Sequence, residues 1–244
     1  MKVAVILPAA GLGTRMQKAS AENAGISRKQ FMLLDGVPIL VHTVRKFAAS
    51  PQVSEIVVAL RQEDLDWVDA MLKRELGRVP IRVVEGGNSR QQSVENAFNA
   101  IDPATDLVAV HDAVRPFVEL ETIGRAIEEA AVSGAAIVGI VPVDTVKQVS
   151  GAQAGKTKIR ATILRDRLVL AQTPQVFRYE VLKAAFAKAR EDSFTGTDES
   201  SLVERLDQIE VSVVLGSDRN IKITRPGDMD LARLFSEQEA VKPA

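Results

Sequence analysis

A mostly parallel, twisted α/β sheet with helices on both faces is the fold class this sequence predicts, and three observations predict it. Short apolar runs rich in Val and Ile alternate with longer stretches whose apolar residues recur at helical spacing. Glycine-rich turns at 11–13 and 86–87 follow directly on two of those runs, at the edge where open α/β sheets gather ligands. The length, 244 residues, fits one domain over 1–244 with room for an excursion.

Residues 2–7 (KVAVIL) read as a buried strand, stopped by Pro8, which has no N–H for the ladder. Gly11 and Gly13 are expected to turn the backbone sharply and bring it close to whatever sits above the strand end. Residues 17–27 are polar and rich in Ala, Asn and Ser, and read as a mobile surface segment. Residues 28–34 return, with Lys29 placed to reach the turn. A helix over 38–50, a strand over 53–60, a helix over 62–76 with Trp67 as packing, and a strand over 81–84 follow. Beyond the second glycine turn come a helix over 91–101, a strand over 107–111 ending before Asp112, a helix over 118–133 and a strand over 135–143.

The rhythm changes at 144. Residues 145–149 and 157–163 alternate around a Gly/Ala/Gln turn and predict a hairpin arm spanning 144–166. A lone hairpin is marginal in water, so the arm is expected to pack on a second copy of the chain, giving a homodimer. Residues 168–177 return to the body, and a helix over 179–191, a capped helix over 197–206, strands over 211–215 and 221–223, and a last helix over 226–238 complete the pattern.

Bulk properties exclude several classes. The net charge of −1 offers no field for nucleic acid or a membrane surface. Cysteine is absent, so disulfide and thiolate chemistry are out. His42 and His111 lie far apart in sequence and show no metal cluster. The chain opens on a strand rather than a charged stretch followed by an apolar one, and a cytoplasmic location is expected.

The first loop fits neither of two familiar phosphate motifs. A dinucleotide fingerprint needs a third glycine where Met16 stands, and a P-loop needs Gly-Lys-Ser/Thr. What remains is Gly-x-Gly-x-Arg, with Arg15 in the loop and Arg28-Lys29 as a second basic pair. Cations around a glycine-rich loop suit a nucleoside triphosphate, against the alternative of an ordinary strand-to-helix turn with solvated basic residues. Asp112, at a strand end, suits a carboxylate holding Mg²⁺ on phosphates, or a helix N-cap. Arg115 is placed for phosphate, or is a solvated arginine. Thr197-Asp198 reads first as an N-cap and second as a substrate contact. Ser93 can meet a base edge or only its own backbone. His111 reads as a structural histidine rather than a base, and Lys222 is within reach of the same crevice. Arg165, on the arm, is a surface residue in a monomer and can enter a neighbour's crevice in a dimer.

PAAGLGTRM, KQF, GGNSRQQSV, HDAVRP, VDTVK, LRDRLVLAQTPQVF, TDESS and NIKITRP, in this order over nearly the whole chain, resemble the 2-C-methyl-D-erythritol 4-phosphate cytidylyltransferase family. The resemblance implies a Rossmann-like nucleotidyltransferase fold with a β-arm that forms a homodimer. It also implies Mg²⁺-dependent conversion of CTP and the sugar-alcohol phosphate to CDP-methylerythritol and pyrophosphate. By the same resemblance, Arg15 and Lys29 match transition-state stabilisers, and Arg165 and Lys222 match residues positioning the acceptor phosphate. Ala9, Ala10, Gly11, Gly87, Asn88 and Ser93 match nucleotide contacts. Asp112, Arg115, Thr145, Thr173 and Thr197 match sugar-phosphate or metal contacts. The chain departs from the family in a longer 16–29 segment, in Arg28 where Pro is usual, and in Asn88 where Asp is usual. Without a stiffening Pro, the loop before Lys29 is expected to be more mobile when empty. The nearest rival is a ribitol 5-phosphate cytidylyltransferase of the same fold. A rival of another class is a non-catalytic nucleotide-binding module.

Overall fold

The computed structural model describes residues 1–11, 28–76, 79–151 and 157–241. Its first apolar run is β1 (Val3–Pro8). Successive strand side chains point to opposite faces, and both faces of β1 are covered. Val3, Val5 and Leu7 join one buried cluster, whereas Ala4 and Ile6 join another. This double burial is why no polar residue interrupts the run. A small antiparallel pair follows, β2 (Leu33–Leu34) with β3 (Val37–Pro38). Its turn is Asp35-Gly36, with φ of 50° and 76°, the left-handed geometry that Asp-Gly hairpin turns supply.

The chain continues through α1 (Ile39–Ala48), β4 (Val53–Leu60), α2 (Leu65–Glu75), β5 (Ile81–Glu85), α3 (Arg90–Asn99), β6 (Leu107–Val110), α4 (Leu120–Ser133) and β7 (Ala135–Ile140). Gly134 ends α4 at φ 93°, its N–H on the Ala130 carbonyl at 2.9 Å, a left-handed stop that favours glycine. Next come β8 (Val146–Val149) and β9 (Ile159–Ile163), β10 (Leu170–Arg178), α5 (Tyr179–Glu191), α6 (Ser200–Val203), β11 (Ser212–Leu215) and α7 (Pro226–Val241).

The main sheet has the order β11-β7-β10-β6-β1-β4-β5. Its neighbours are parallel except at β10, which runs antiparallel to both β6 and β7. Antiparallel neighbours need no crossover helix. The β8–β9 pair therefore replaces one: it is a long hairpin excursion between β7 and β10, paired with itself outside the main sheet. Helices α1, α2 and α4 cover one face through residues such as Phe47, Leu72 and Ile127, and α3 and α5 cover the other through Phe98 and Phe186.

Several expectations need correction. Residues 221–223 form no strand. Ile223 instead donates its N–H to the Val114 carbonyl at 3.0 Å and packs with Leu34, Phe117 and Met229 in a third cluster. The helix expected over 197–206 is only Ser200–Val203 followed by a 3-10 turn, Glu204–Leu206. Trp67 packs, as read, with its ring edge on Phe31 at 4.7 Å between centroids, but it does so from the surface, 45% exposed. The expectations for Gly13, Arg15 and the 17–27 segment fall outside the described residues. Among those residues no helix is long and apolar enough to cross a membrane.

Candidate active site

Two adjoining cavities open at the carboxyl ends of the parallel strands. The larger, about 460 Å³, lies over the ends of β1 and β5. Its floor is Ala9, Ala10 and Gly11, and one side is the 87–89 turn. Gly86 lets the two turns touch: a Cβ there would lie 2.6 Å from the Ala10 Cβ, and its N–H meets the Leu60 carbonyl at 2.6 Å. Gly11 does otherwise than expected. Its φ lies outside the left-handed region and a Cβ would meet nothing within 4 Å, so glycine there leaves clearance above the strand end.

Ser89 caps α3 by accepting from the Gln92 N–H at 3.1 Å. The Ser93 hydroxyl accepts from the Gly87 N–H at 3.0 Å and donates to the Ser89 carbonyl at 2.8 Å. It is thus engaged by its own turn, although Ser93 lines the cavity beside the exposed Asn88. Lys29 enters from a 3-10 turn, Lys29–Phe31. The buried Gln30 ties that turn down by donating from Nε2 to the Ala9 carbonyl at 2.6 Å and to the Gly11 carbonyl at 3.2 Å.

The smaller cavity, about 220 Å³, lies beside β6 and β10, with Arg115, Thr173, Thr197 and Lys222 in its lining. Asp112 is its hub. One carboxylate oxygen accepts from Arg90 Nε at 3.3 Å; the other accepts from Arg115 Nε at 3.2 Å and Lys222 Nζ at 2.9 Å. Burial alone would raise the Asp112 pKa, but Arg90, Lys222 and Arg115 outweigh it and hold the carboxyl well below its ordinary range. Arg90 also forks onto the buried Glu199 at 2.8 and 3.0 Å. Burial pushes Glu199 up, and Arg90 offsets only part of that. Arg90, Arg115 and Lys222 thus face Asp112 and Glu199, with Asp198 also in the cavity's lining, so the charges of this wall come close to balance.

Beneath Asp112 a directed chain of hydrogen bonds fixes the wall. The Asp112 N–H donates to the Thr173 hydroxyl at 3.1 Å, and that hydroxyl lies 3.0 Å from His111 Nδ1. His111 Nε2 lies 3.0 Å from the Arg115 carbonyl, an acceptor only. The Nε2–H tautomer therefore satisfies every partner, with Nδ1 accepting from Thr173. Burial pushes the His111 pKa down to about 4, so the ring is neutral at pH 7, as the structural reading of His111 requires. Asp112 is not a helix cap, because α4 begins only at Leu120. Asp198 is one: it accepts from the Ser201 N–H at 3.1 Å, while Gln175 Oε1 accepts from the Glu199 and Ser200 N–H groups at 3.1 and 3.0 Å.

Of the residues singled out in the sequence, Ala9, Ala10, Gly11, Lys29, Gly87, Asn88 and Ser93 line the larger cavity, and Arg115, Thr173 and Thr197 the smaller. Asp112 and Lys222 line both, and so does Arg90, which sequence reasoning passed over. Its signal was its place directly after the capping serine of a glycine-rich turn. Glu199 was visible only as an acidic residue in TDESS. Thr145 and Arg165 stand apart on the exposed arm and line neither cavity.

Residues 3–238 match the family model of 2-C-methyl-D-erythritol 4-phosphate cytidylyltransferase, IspD. The chain belongs to that family. A cytidylyltransferase of this name from Solibacter usitatus is 63% identical over 99% of this chain and 98% of its own length, and one from Acidobacterium capsulatum is 52% identical over 98% and 99%. Among solved structures, 4-diphosphocytidyl-2C-methyl-D-erythritol synthase from Anaerococcus prevotii superposes with a TM-score of 0.82 at 29% identity, covering 96% of each chain. The IspD-family enzyme of Thermus thermophilus follows at 0.77 and 30%, covering 97% of this chain and all of its own. Membership makes this chain a nucleotidyltransferase, and the mostly parallel sheet with its reversed strand is the family's Rossmann-like fold.

Proposed function

We propose that this chain transfers CMP from CTP to 2-C-methyl-D-erythritol 4-phosphate, releasing pyrophosphate and forming CDP-methylerythritol for non-mevalonate isoprenoid synthesis. One observation carries the reading: two adjoining cavities share a wall of Arg90, Asp112 and Lys222. Two polyanions seated there lie side by side across one set of cations.

In this reading an oxygen of the acceptor phosphate attacks the α-phosphorus of CTP. The new O–P bond forms as the bond to the β-phosphate bridging oxygen breaks, and pyrophosphate leaves in line. Such phosphoryl chemistry asks the protein mainly for position and positive potential. Lys29 and Arg15 supply that potential to the α-phosphoryl oxygens. Backbone at Ala9, Ala10 and Gly11 receives the nucleotide phosphates, and Gly87, Asn88 and Ser93 receive the cytosine; Asn88 offers both a donor and an acceptor. Lys222, Arg115, Thr173 and Thr197 hold the acceptor. A phosphate nucleophile is competent near neutral pH, which agrees with a His111 whose ring nitrogens are both committed to the fold.

Mg²⁺ belongs to the same proposal. Among the described residues no three His, Cys, Asp or Glu side chains converge, and Asp112 is the carboxylate that both cavities share. It fits the ion: it is held ionised and keeps a lone pair beyond its three donors. Phosphate oxygens and water make up the rest, the usual arrangement for this cation on nucleotides. When bound, Mg²⁺ supplies further positive charge to the phosphates.

The arm supports a homodimer. Val143, Val149, Ile159 and Leu164 are exposed along it, and a second copy gives them cover. Thr145 and Arg165 then serve the neighbour's smaller cavity. The test of the whole reading is pyrophosphate release across the four nucleotides, with methylerythritol phosphate or ribitol 5-phosphate as acceptor. Release confined to CTP with methylerythritol phosphate is expected. Preference for ribitol 5-phosphate would reassign the acceptor, and no release with CTP and Mg²⁺ would leave only a nucleotide-binding module.

A further inference from the structure

We infer that Arg28 is a positioning residue for Lys29, acting through a clasp on the corner between β4 and α2. The inference rests on the reading of Lys29 as the residue facing the triphosphate. Arg28 directly precedes the 3-10 turn that carries Lys29, and its carbonyl accepts the Phe31 N–H that closes the turn, at 2.8 Å. Its guanidinium is held on three sides. It pairs with Asp64 Oδ1, reaches Glu63 Oε1 at 3.4 Å, and lies 5.3 Å above the centre of the Phe31 ring. Trp67 Nε1 donates to the same Asp64 oxygen at 3.2 Å while the indole edge meets Phe31.

Asp64 is 1% exposed, and its Oδ2 makes no hydrogen bond among the described residues. Arg28 is therefore the cation that makes burial of this carboxylate tolerable. An arginine so committed fixes its own backbone. The Lys29 turn is then pinned at both ends, by Arg28 to this corner and by Gln30 to the glycine loop. Lys29 projects into the larger cavity from between the two pins.

The backbone supplies an independent handle. Arg28 sits at φ −59° and ψ 129°, and its φ is the one that a proline ring sets covalently. A proline at 28 can restore the turn without the ion pair, provided Asp64 is neutralised as well.

The experiment uses the full chain and two readouts. Steady-state rates with CTP and methylerythritol phosphate report Lys29, and emission from Trp67, the single tryptophan, reports the clasp. Arg28→Ala is expected to shift the emission and to lower kcat about ten- to a hundredfold with little change in the acceptor KM, the scale for a misplaced catalytic group. Asp64→Asn, a milder change should Arg28→Ala fold poorly, should do the same in part. Arg28→Pro in the Asp64→Asn background should recover most of the rate while the emission stays shifted. In a Lys29→Ala background, Arg28→Ala should cost nothing further. A shifted emission with an undiminished kcat, or a full additional loss on top of Lys29→Ala, overturns the clasp as a positioning device. An unchanged kcat in Lys29→Ala alone overturns instead the reading of Lys29 on which it rests.

Discussion

The two cavities share a wall of Arg90, Asp112 and Lys222 and differ in the rest. The larger adds a floor and side of backbone and small residues, Ala9, Ala10, Gly11 and Gly87, at turns that the sheet itself fixes. The smaller is walled by charged side chains drawn from separate segments: Arg90 from α3, Asp112 and Arg115 from the loop after β6, and Lys222 from the stretch before α7. A backbone wall keeps its shape because strands and turns keep theirs. A wall of charges keeps its shape only while the charges balance. Damage to the first should therefore appear in turnover, and damage to the second in stability as well.

The largest expected effect tests the charge-balanced wall. Arg90→Met leaves Glu199 buried without its cation and takes one of three donors from Asp112. Breaking a buried pair at one partner typically costs about 3–5 kcal/mol, read as a shift in denaturant midpoint. Neutralising both partners, Arg90→Met with Glu199→Gln, should return much of it. A loss below about 1 kcal/mol in the single variant would mean that the wall does not depend on charge balance. The next effect belongs to the larger cavity. Lys29→Ala should lower kcat about a hundred- to a thousandfold, as loss of one oxyanion donor typically does. Its effect on CTP binding should be smaller, and stability should stay within about 0.5 kcal/mol. An equal fall in stability would erase the distinction between the cavities.

The same contrast explains what the sequence made legible. The larger cavity could be read because its parts are local: an apolar strand followed by glycines, and a second strand followed by Gly86-Gly87 and a capping serine. Strand positions were legible for the same reason, since burial on both faces leaves runs such as 3–7 and 107–110 wholly apolar. The smaller cavity could be read only in pieces. Asp112, Arg115 and Lys222 were visible one by one, but the Arg90–Glu199 pair spans 109 positions, and nothing local marks it. Residues 221–223 were misread because Ile221 and Ile223 look like a strand, whereas they are apolar to pack the third cluster. Arg28 drew attention as a missing proline, and its partner Asp64 lies 36 residues away.

A third measurement probes what lies under the charged wall. His111 is fully buried, and burial pushes its pKa down from 6.5 to about 4. Between those values the unfolded chain binds a proton that the folded chain refuses. Stability is then fully present above about pH 6.5 and is lost as pH falls toward 4, by about 3 kcal/mol. Asp112, held below its ordinary range, adds its own loss only below about pH 4, so the two can be separated. Denaturant midpoints across this range should slope in the wild type and flatten in His111→Gln. An equal slope in both would assign the titration elsewhere and loosen the link between His111 and the wall above it.

The smallest effect asks whether the charged cavity is complete within one chain. Arg165 is exposed on the arm and touches neither cavity; the contact shown for its guanidinium is with the Val143 carbonyl. If the partner's cavity receives it, Arg165→Ala should raise the acceptor KM about tenfold, the scale of one charge-assisted hydrogen bond, with kcat and stability nearly unchanged. The location follows from mixing subunits. Arg165→Ala chains combined with Arg15→Ala chains should regain the low acceptor KM, because each mixed dimer assembles one site with both arginines intact. No recovery on mixing would place Arg165 in its own chain's site or in none. The larger cavity predicts no such rescue: Lys29→Ala mixed with Arg15→Ala should stay inactive, since the proposed function assigns both residues to the chain that holds the nucleotide.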